Sequence, residues 1–506
     1  MKRLLTKHHD SSLVHRYISH KTLLQVFRKD EWAIILVPYQ PISQSIMLYS
    51  PDLCHVFANH VGKTRFEDLS KAAVDAAKKS ILDIAGVTLA GSGMEPAVRG
   101  VADVVLDAGG REESSVFGFG GKVPAQSAAF ANGVMAHCLD FDDQTPWGAH
   151  PDSSVVPAAL ALAERKGAIS GRDLITSVAI GQDLFVRLRC NVEWRQDWNL
   201  SSVVGAFSAT AAAAYIQRLS REQISHALGI ASMQSSGTME VIFGIGSDLR
   251  GMYAGFTAQG AVLAVLLAEK GITGVANLFE AKAGIFNVYF GGKYERDKMV
   301  EGLGRDYLGA SMLYKAWPAV GNVHTYIHAT IELMREHGLK ACDIQQIKVF
   351  VGDFHQRMCY PLDLRRTPGT LVDAKFSLPF CVALAATRGQ IRISDFSAAA
   401  LHDPQVLAIA QKVVPLEDSS LDWKVKIPDG RMEILTRDGR RFARIGDNVP
   451  GSPEAPMSWE QIAAKFRDCA SVAANPLSRE RTERAIDLVL NLESLDNTSA
   501  FLSTFS

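Results

Sequence analysis

Apolar residues recur at helical spacing along the first two-thirds of the chain. Between residues 66 and 91 the apolar side chains fall three or four positions apart, with lysines among the polar positions between them. This pattern predicts an amphipathic helix, and we expect Gly91 and Gly93 to end it.

Further helices are predicted downstream. A short apolar run at residues 101–106 is typical of a strand, and an alanine-rich helix is predicted over residues 124–139. Additional helices are predicted over residues 153–164, 173–188, 201–216, 222–232 and 248–270. Most of these segments are rich in alanine and glycine, and small residues allow helix axes to approach closely. The first two-thirds of the chain is therefore predicted to be an all-α, compact bundle.

The pattern changes beyond about Ser311. Residues 347–354 have β-type composition, and three later segments alternate with turn dipeptides as in a β-meander. These segments are residues 423–427, 431–435 and 440–445, separated by Pro428-Asp429-Gly430 and Asp438-Gly439. Residues 450–456 have the composition of a linker, and helices are predicted again over residues 458–468 and 479–492.

The predicted fold is mainly α, with a large all-helical domain, a smaller α+β domain, and C-terminal helices that return to the helical domain. The predicted boundaries are residues 1–60 for an N-terminal extension of uncertain role, 61–311 for the helical domain, 312–450 for the α+β domain and 451–506 for the C-terminal helices. Two domains also fit the length of 506 residues, which exceeds what one hydrophobic core usually serves.

Composition and charge narrow the functional classes. With 47% hydrophobic and 21% charged residues the chain is not globally disordered. Its net charge of -1 supplies no overall field for nucleic acid or an anionic membrane, and no apolar run of about 18 residues predicts a membrane span. Seven widely spaced cysteines without a CxxC pair fit a reducing compartment, so we expect a cytoplasmic protein. The basic N-terminal start makes a mitochondrial location the alternative, although Asp10, Asp30 and Glu31 depart from acid-poor presequences.

A polar stretch at residues 140–151 lies between two strongly apolar segments. Its functional groups are Asp140, Asp142, Asp143, Gln144, Thr145 and His150. Carboxylates this close repel one another and raise one another's pKa unless cations or hydrogen bonds intervene. A neighbouring histidine then suits acid-base chemistry near neutral pH. The alternatives are a loop of helix caps and turn residues, or a metal site, which we do not expect because one histidine beside adjacent aspartates lacks the spacing of a known ligand set.

Two further segments carry cations. Arg250 and Tyr253 lie at the start of a long apolar helix, where an arginine suits a carboxylate or phosphate; a capping or solvated arginine is the alternative. Lys315 and His324 lie near the predicted domain boundary, where ligand sites are common; a hinge is the alternative. Removing a proton next to a carboxylate creates a dianionic intermediate, which requires several cations and a base. Together with His150, these segments supply both.

The order of these motifs resembles the MmgE/PrpD family from about residue 48 to residue 492. The motifs are Leu139-Asp-Phe-Asp-Asp143, His150-Pro151, Val155-Val-Pro-Ala-Ala-Leu-Ala-Leu-Ala-Glu164, Ala227-Leu-Gly-Ile-Ala231, Ser236-Gly237, Leu267-Ala-Glu-Lys-Gly-Ile-Thr-Gly274, Lys315 with His324, and Asp373-Ala-Lys-Phe-Ser377-Leu-Pro. That family includes 2-methylcitrate dehydratases and cis-aconitate decarboxylases, with an iminodisuccinate epimerase among its relatives.

The resemblance implies a homodimer in which the α+β domain closes as a lid over the helical domain. It also implies a site between the domains that needs no metal and no cofactor and accepts a di- or tricarboxylate. Asp140 and His150 would be catalytic, with His150 moving the proton. Lys315 would bind a substrate carboxylate, and His324 would line the same pocket. Substrate contacts would come from Arg250, Gln144, Thr145, Asp143 and Tyr253.

Five positions depart from the pattern that the resemblance implies. Gln144 precedes the threonine that usually follows the aspartates directly, and Arg250, Tyr253, Asn199 and Val320 stand where lysine or histidine is usual in members of the family. We therefore expect a lyase with a non-standard substrate, most simply a hydro-lyase like 2-methylcitrate dehydratase. The alternatives are a carboxy-lyase like cis-aconitate decarboxylase, an epimerase, or a non-catalytic carboxylate-binding protein.

Overall fold

The computed structural model describes residues 21–28, 31–38, 51–244 and 247–505, and divides the chain into two units, residues 1–51 and 52–506. The first unit contains an antiparallel hairpin of β1 (Lys21–Arg28) and β2 (Glu31–Pro38), in which Arg28 pairs with Glu31. The predictions of an extension or presequence over residues 1–20 and 39–50 lie outside the described residues. The boundary predicted at residue 60 falls within the first helix of the second unit.

The second unit begins as an assembly of helices. In chain order these are α1 (Leu53–Lys63), α2 (Lys71–Met94), α3 (Pro96–Ala108), α4 (Ala125–His137), α5 (Asp152–Lys166), α6 (Gly171–Cys190), α7 (Leu200–Val203), α8 (Gly205–Gln217), α9 (Arg221–Ala231), α10 (Glu240–Phe243), α11 (Tyr253–Glu269), α12 (Ile285–Phe290) and α13 (Arg296–Val300). A two-residue hairpin, β3 (Ser114–Ser115) with β4 (Lys122–Val123), precedes α4.

The remainder of the second unit mixes helices with one sheet. Its elements are α14 (His324–Glu336), β5 (Ile344–Val351), α15 (Asp353–Gln356), α16 (Leu362–Arg366), α17 (Leu371–Lys375), α18 (Leu378–Arg388), α19 (Ala398–Leu401), α20 (Pro404–Ala410), β6 (Val413–Glu417), β7 (Arg431–Thr436), β8 (Arg441–Ile445), α21 (Trp459–Ser471), α22 (Arg479–Leu490) and α23 (Ser499–Leu502). The strand order is β6-β5-β7-β8, with β5 and β6 parallel and the other pairs antiparallel.

The helices predicted between residues 124 and 270 are present, with ends shifted by a few residues. The helix predicted over 201–216 is divided at Val204, and the one predicted over 248–270 begins with a 3₁₀ turn, Asp248–Gly251. The prediction of a mainly α protein with some sheet is confirmed.

Three local predictions are wrong. Helix α2 continues through both glycines and ends at Met94. A Cβ on Gly91 would lie 2.3 Å from the carbonyl oxygen of Met135, and one on Gly93 would lie 2.1 Å from that of Val472. These glycines permit close packing of neighbouring backbone instead. Residues 101–106 lie in α3, where Pro96 occupies the first turn and the buried residues recur at helical spacing. Residues 423–427 form no strand, and β6 takes the fourth place in the sheet.

The second unit contains two hydrophobic clusters. One is built largely from helices α1 to α11 and includes Phe466 of α21 and Val489 of α22. The other is built largely from residues 317–449, includes Ile347 and Ile434 of the sheet, and is joined by Met239 from the helical part of the chain. The exact domain boundaries remain predictions. Within the described residues, the stretch Leu200–Gln217 is long and apolar enough to cross a membrane, but 89% of it is buried inside the protein, as in the core helix of a folded domain.

Helices α4 and α11 cross at two glycines. A Cβ on Gly133 would lie 2.9 Å from Cα of Gly255, and a Cβ on Gly255 would lie 2.5 Å from the carbonyl oxygen of Phe130. Since α4 leads directly into the polar stretch, this crossing fixes where that stretch begins.

We therefore expect Gly255→Ala to separate the two helices and destabilise the protein by about 1–3 kcal/mol, measured as a lower midpoint of thermal unfolding. The control is Gly100→Ala. Gly100 is exposed within α3, and its added Cβ meets no atom within 4 Å, so stability should stay equal or rise by about 0.5–1 kcal/mol. An unchanged midpoint for Gly255→Ala would contradict the proposed close contact.

Candidate active site

The polar stretch forms a tight loop between α4 and α5. Thr145 donates from its hydroxyl to the carbonyl of Gly148 at 2.6 Å, and its amide donates to the carbonyl of Ala149 at 3.0 Å. Gly148 and Ala149 both have φ of 75°, a region that glycine occupies at little cost and alanine rarely. A side chain at Gly148 would also collide with Trp423, 2.6 Å from the added Cβ. The loop is thus fixed in shape immediately before His150.

Two imidazoles share one buried carboxylate at this loop. His137, at the end of α4, lies with Nδ1 2.9 Å from Oδ2 of Asp142, and Nδ1 of His150 lies 3.3 Å from the same oxygen. The ring centroids of His137 and His150 are 4.8 Å apart. Burial would raise the pKa of Asp142, but the two imidazoles outweigh it and hold that pKa well below its usual value. Asp142 is therefore an anion that orients both rings.

The contacts of His150 assign its tautomer. Its Nδ1 lies 2.7 Å from the carbonyl oxygen of Asp143, and because a carbonyl can only accept, Nδ1 carries the proton. Among the described residues, Nε2 of His150 has no hydrogen-bond partner. The backbone amide of His150 donates to the Ser201 hydroxyl at 3.0 Å. Hydrogen bonds therefore fix both the backbone and the imidazole of His150. His150 thus has the geometry of a positioned acid or base.

Both imidazoles face a cavity of about 70 Å³. Its walls come from the loop, from α6 and the segment after it, and from residues 317–449. The lining residues are His137, Asp140, Gln144, Gly148, Ala149, His150, Arg189, Trp194, Asn199, Leu200, Ser201, Met239, Ile242, Tyr253, Val320, Asn322, Phe354, Phe376 and Trp423. The lining thus combines polar groups of the loop with the aromatic rings of Trp194, Phe354 and Trp423, of which Trp423 packs against Gly148 of the loop.

Asp140 and Lys315 form a buried ion pair. Lys315 Nζ contacts Oδ1 of Asp140 and also donates to the Asp140 carbonyl at 2.9 Å. Burial would raise the pKa of Asp140, but Lys315 outweighs it and lowers that pKa below its ordinary value. Asp140 lines the cavity, whereas Lys315 is fully buried behind it. In this structure Lys315 therefore binds the loop.

Arg250 is also behind the cavity wall. Its guanidinium lies 4.3 Å from the ring of Phe376, pairs with Asp373 at 3.9 Å and donates to the carbonyl of Gly244. Burial, with Arg365 nearby, lowers the pKa of Arg250 to about 10. Arg250 reaches the cavity only through Phe376, which lines it.

Asp143 and Thr145 of the loop are fully buried and do not line the cavity. Burial, with Asp152 and Asp142 beside it, raises the pKa of Asp143 well above its usual value. Burial also raises the pKa of Asp152 to about 6, although its carboxylate accepts a hydrogen bond of 2.6 Å from Gln182. These two carboxyls thus retain a proton in the folded protein.

The other predicted residues divide between two cavities. Tyr253 lines the first cavity, with its ring 4.4 Å from that of His137, and Gln144 lines both. His324 lines a second, larger cavity of about 510 Å³, which shares Gln144 with the cavity of His150. Its Nε2 lies 3.1 Å from the carbonyl of Ala319, and burial, with Lys315 nearby, lowers its pKa to about 3. His324 is therefore an uncharged ring.

Sequence reasoning missed His137, Arg189 and Asn322. His137 lies three positions before Asp140, and a histidine at the end of an alanine-rich helix beside an acidic cluster was a usable signal. Arg189 and Asn322 had no such signal, because their places in the cavity depend on long-range packing.

The side chains of His137, Asp142 and His150 could also hold a metal ion, since their ligand atoms lie within 4.8 Å of one another. An ion there would compete with the hydrogen bond from His150 to the Asp143 carbonyl. Hydrogen bonds already account for the orientation of both rings, and a metal-free site remains our prediction.

Comparison with known proteins identifies two family models along the chain. The MmgE/PrpD N-terminal domain matches residues 55–297, and the MmgE/PrpD C-terminal domain matches residues 317–493.

Individual relatives cover most of the chain at low identity. The cis-aconitate decarboxylase-like protein oryM of Aspergillus oryzae is 24% identical over 88% of this chain and 96% of its own length. The cis-aconitate decarboxylase of Mus musculus is 26% identical over 88% of this chain and 91% of its own length. The 2-methylcitrate dehydratase of Salmonella typhimurium is 23% identical, with 76% and 83% covered.

The raised pKa of Asp152 predicts a pH-dependent difference in stability. The folded protein keeps a proton up to about pH 6, whereas an unfolded carboxyl releases it near pH 4. The contribution of Asp152 therefore becomes less favourable as pH rises from about 4 to 6, by up to about 3 kcal/mol. Asp152→Asn does not titrate, so its thermal midpoint should gain on that of the wild type between pH 4 and pH 7.

The exposed Asp107→Asn is the matched control and should follow the wild-type pH profile. Parallel profiles for Asp152→Asn and the wild type would show that the pKa of Asp152 is not raised in the folded protein.

Proposed function

Because the chain belongs to the MmgE/PrpD family, we propose that it is a lyase that acts on a small di- or tricarboxylate through a carbanion next to a carboxylate, most simply as a hydro-lyase of the 2-methylcitrate dehydratase type. The observation that carries this proposal is the pair of imidazoles that one buried carboxylate orients toward a single cavity.

Elimination of water requires two proton transfers. A base takes the proton from carbon, the electron pair forms the double bond, and an acid protonates the departing hydroxyl. His150 Nε2 is the base, since its Nδ1 is occupied by the Asp143 carbonyl. The ring centroid of His137 lies 4.8 Å from that of His150. His137 is therefore placed to act as the acid that protonates the departing hydroxyl. Tyr253, whose pKa is raised by burial and by Asp142, stays a neutral hydrogen-bond donor beside them.

The aromatic part of the cavity lining suits an alkyl substituent on the acid. Trp423 lies 5.5 Å from Trp194 and 4.9 Å from Phe354 between ring centroids, and all three rings line the cavity. An alkyl group packed there gains from removal of apolar surface from water. This wall favours an alkyl-bearing acid such as 2-methylcitrate over an unsubstituted one.

Departures from the family pattern support a substrate of this chain's own. Asn199, Tyr253 and Val320, which stand where the family resemblance leads us to expect histidine, all line the cavity, and Gln144 lines it as well. Substitutions that meet at one surface change what that surface recognises. The fold therefore supports the reaction class, while these residues set the specificity.

A cis-aconitate decarboxylase is the second candidate, because two relatives of the decarboxylase type each match over 88% of this chain. Loss of carbon dioxide leaves the same type of carbanion and needs one proton donor, which either imidazole can supply. We further propose that residues 312–450 act as a lid, that the C-terminal helices return to the helical domain, and that the protein is a homodimer.

His150→Gln should lower kcat by about 10²- to 10⁴-fold, because the amide cannot transfer a proton, with the thermal midpoint near that of the wild type. The control is the exposed His402→Gln, which lies outside the cavity lining and should retain full turnover. Near-native turnover by His150→Gln would remove His150 from the mechanism.

The reaction class is tested by proton NMR in D₂O with 2-methylcitrate and cis-aconitate as separate substrates. Dehydration of 2-methylcitrate yields an alkene, and decarboxylation of cis-aconitate yields itaconate. Exchange of a C–H proton for deuterium without net reaction indicates an epimerase. If neither acid is bound or changed, the chain is neither a 2-methylcitrate dehydratase nor a cis-aconitate decarboxylase, and both named candidates are wrong.

A further inference from the structure

Arg189 is a buried cation without an acidic partner. Its side chain lies in the last turn of α6, and the residue is 5% exposed. One guanidinium nitrogen, Nη2, donates to the carbonyl of Trp147, and the guanidinium carbon lies 5.2 Å from the ring centroid of Trp194. Within residues 51–244 and 247–505, no carboxylate forms an ion pair with Arg189, and Nε has no hydrogen-bond partner. Burial lowers the pKa of Arg189 to about 10.

Arg187, two residues earlier, is a buried arginine whose charge and hydrogen-bond donors are satisfied by protein groups. Arg187 is 1% exposed, pairs with Asp183 at 2.9 Å, and donates to the carbonyls of Met299, Glu301 and Asp306. Both side chains come from the same helix turn and are equally remote from bulk water. Since an unpaired buried charge is costly, the difference between them requires an explanation.

The position of Arg189 in the cavity lining explains why it has no acidic partner. It is the only arginine or lysine in the cavity lining, as far as the described chain extends. Lys315 is paired with Asp140. Arg250 lies 3.9 Å from Asp373 without a hydrogen bond to it, but Arg250 does not line the cavity. Arg189 is thus the strong positive charge that remains available to a ligand.

Two amides in the same lining are also unsatisfied. Nδ2 of Asn199 and Nδ2 of Asn322 are buried without a hydrogen-bond partner, and their residues are 3% and 4% exposed. Buried donors are rarely left unpaired in folded proteins. An arginine fork and two amide N–H groups around one cavity match a group that carries only acceptor atoms.

We propose that Arg189, assisted by the amides of Asn199 and Asn322, is the carboxylate-recognition site of this cavity and determines its specificity for polycarboxylates. The inference rests on the proposed function and deepens it, because it names the residue that receives one substrate carboxylate. The carboxylate binds at the guanidinium, and the imidazoles of His137 and His150 act on the carbon skeleton beside it.

The test measures binding and stability together. Tricarballylate, a tricarboxylate without a hydroxyl group to eliminate, is titrated by calorimetry into the full chain, and propane-1,2,3-tricarboxamide serves as the uncharged analogue. The wild type should bind the acid and not the amide. Arg189→Met should raise the Kd for tricarballylate by about 10- to 100-fold, and Arg189→Lys should give an intermediate loss because it keeps the charge without the planar fork.

The stability of the ligand-free variants separates recognition from a structural role. Arg189→Met removes an unpaired buried charge, so its thermal midpoint should equal or exceed that of the wild type. Arg187→Lys, the matched control, should lower the midpoint and leave the Kd unchanged. A lower midpoint for Arg189→Met with wild-type affinity would overturn the inference and assign Arg189 to support of the Trp147 carbonyl.

The remaining outcomes distinguish failure of this inference from failure of the proposed function. If the wild type converts or binds a polycarboxylate while Arg189→Met binds tricarballylate equally well, this inference fails and the proposed function stands. If the wild type binds none of the acids and converts none, both fail. Should Arg189→Met not fold, Arg189→Gln takes its place, with the same loss of affinity expected and wild-type affinity again contradicting the inference.

Discussion

The structure depends on compensation of negative charge buried at the loop between α4 and α5. Asp140, Asp142 and Asp143 are almost fully buried, and isolated carboxylates in such a place would be costly. Lys315 neutralises Asp140, and two imidazoles share Asp142. Asp143 instead retains a proton with Asp152. Each carboxyl is therefore stabilised in a different way, and the stabilisation of Asp142 is the one that orients two imidazoles at the cavity.

A second layer of contacts supports this loop from behind. Lys465 of α21 donates to the carbonyl of Phe141 at 2.7 Å and pairs with Asp83 of α2 at 2.8 Å. The loop is thus attached to an early helix and to one near the C-terminus, while Lys315 attaches it to the segment before α14. Rigid support of this kind is what a proton-transfer site needs, because efficiency depends on the position of the base.

The sequence was informative where the chemistry is local. The acidic loop with His150, the alanine-rich helices and the strands β5, β7 and β8 follow from periodicity and composition. The same reasoning failed where a residue's neighbour comes from far along the chain. Gly91 and Gly93 looked like helix ends but make room for backbone from other helices. The sequence likewise did not show that Lys315 contacts Asp140 and that Arg250 lies beside Asp373, and Arg189 gave no local sign of being left unpaired.

A polycarboxylate is expected to bind with one carboxylate at Arg189 and its reacting carbon beside His150. The most direct measurement is a crystal structure of the protein with tricarballylate. We predict one carboxylate in hydrogen-bond contact with the Arg189 guanidinium and the carbon skeleton within reach of His150 Nε2. Tricarballylate found only in the larger cavity at His324, with Arg189 still unpaired, would contradict it.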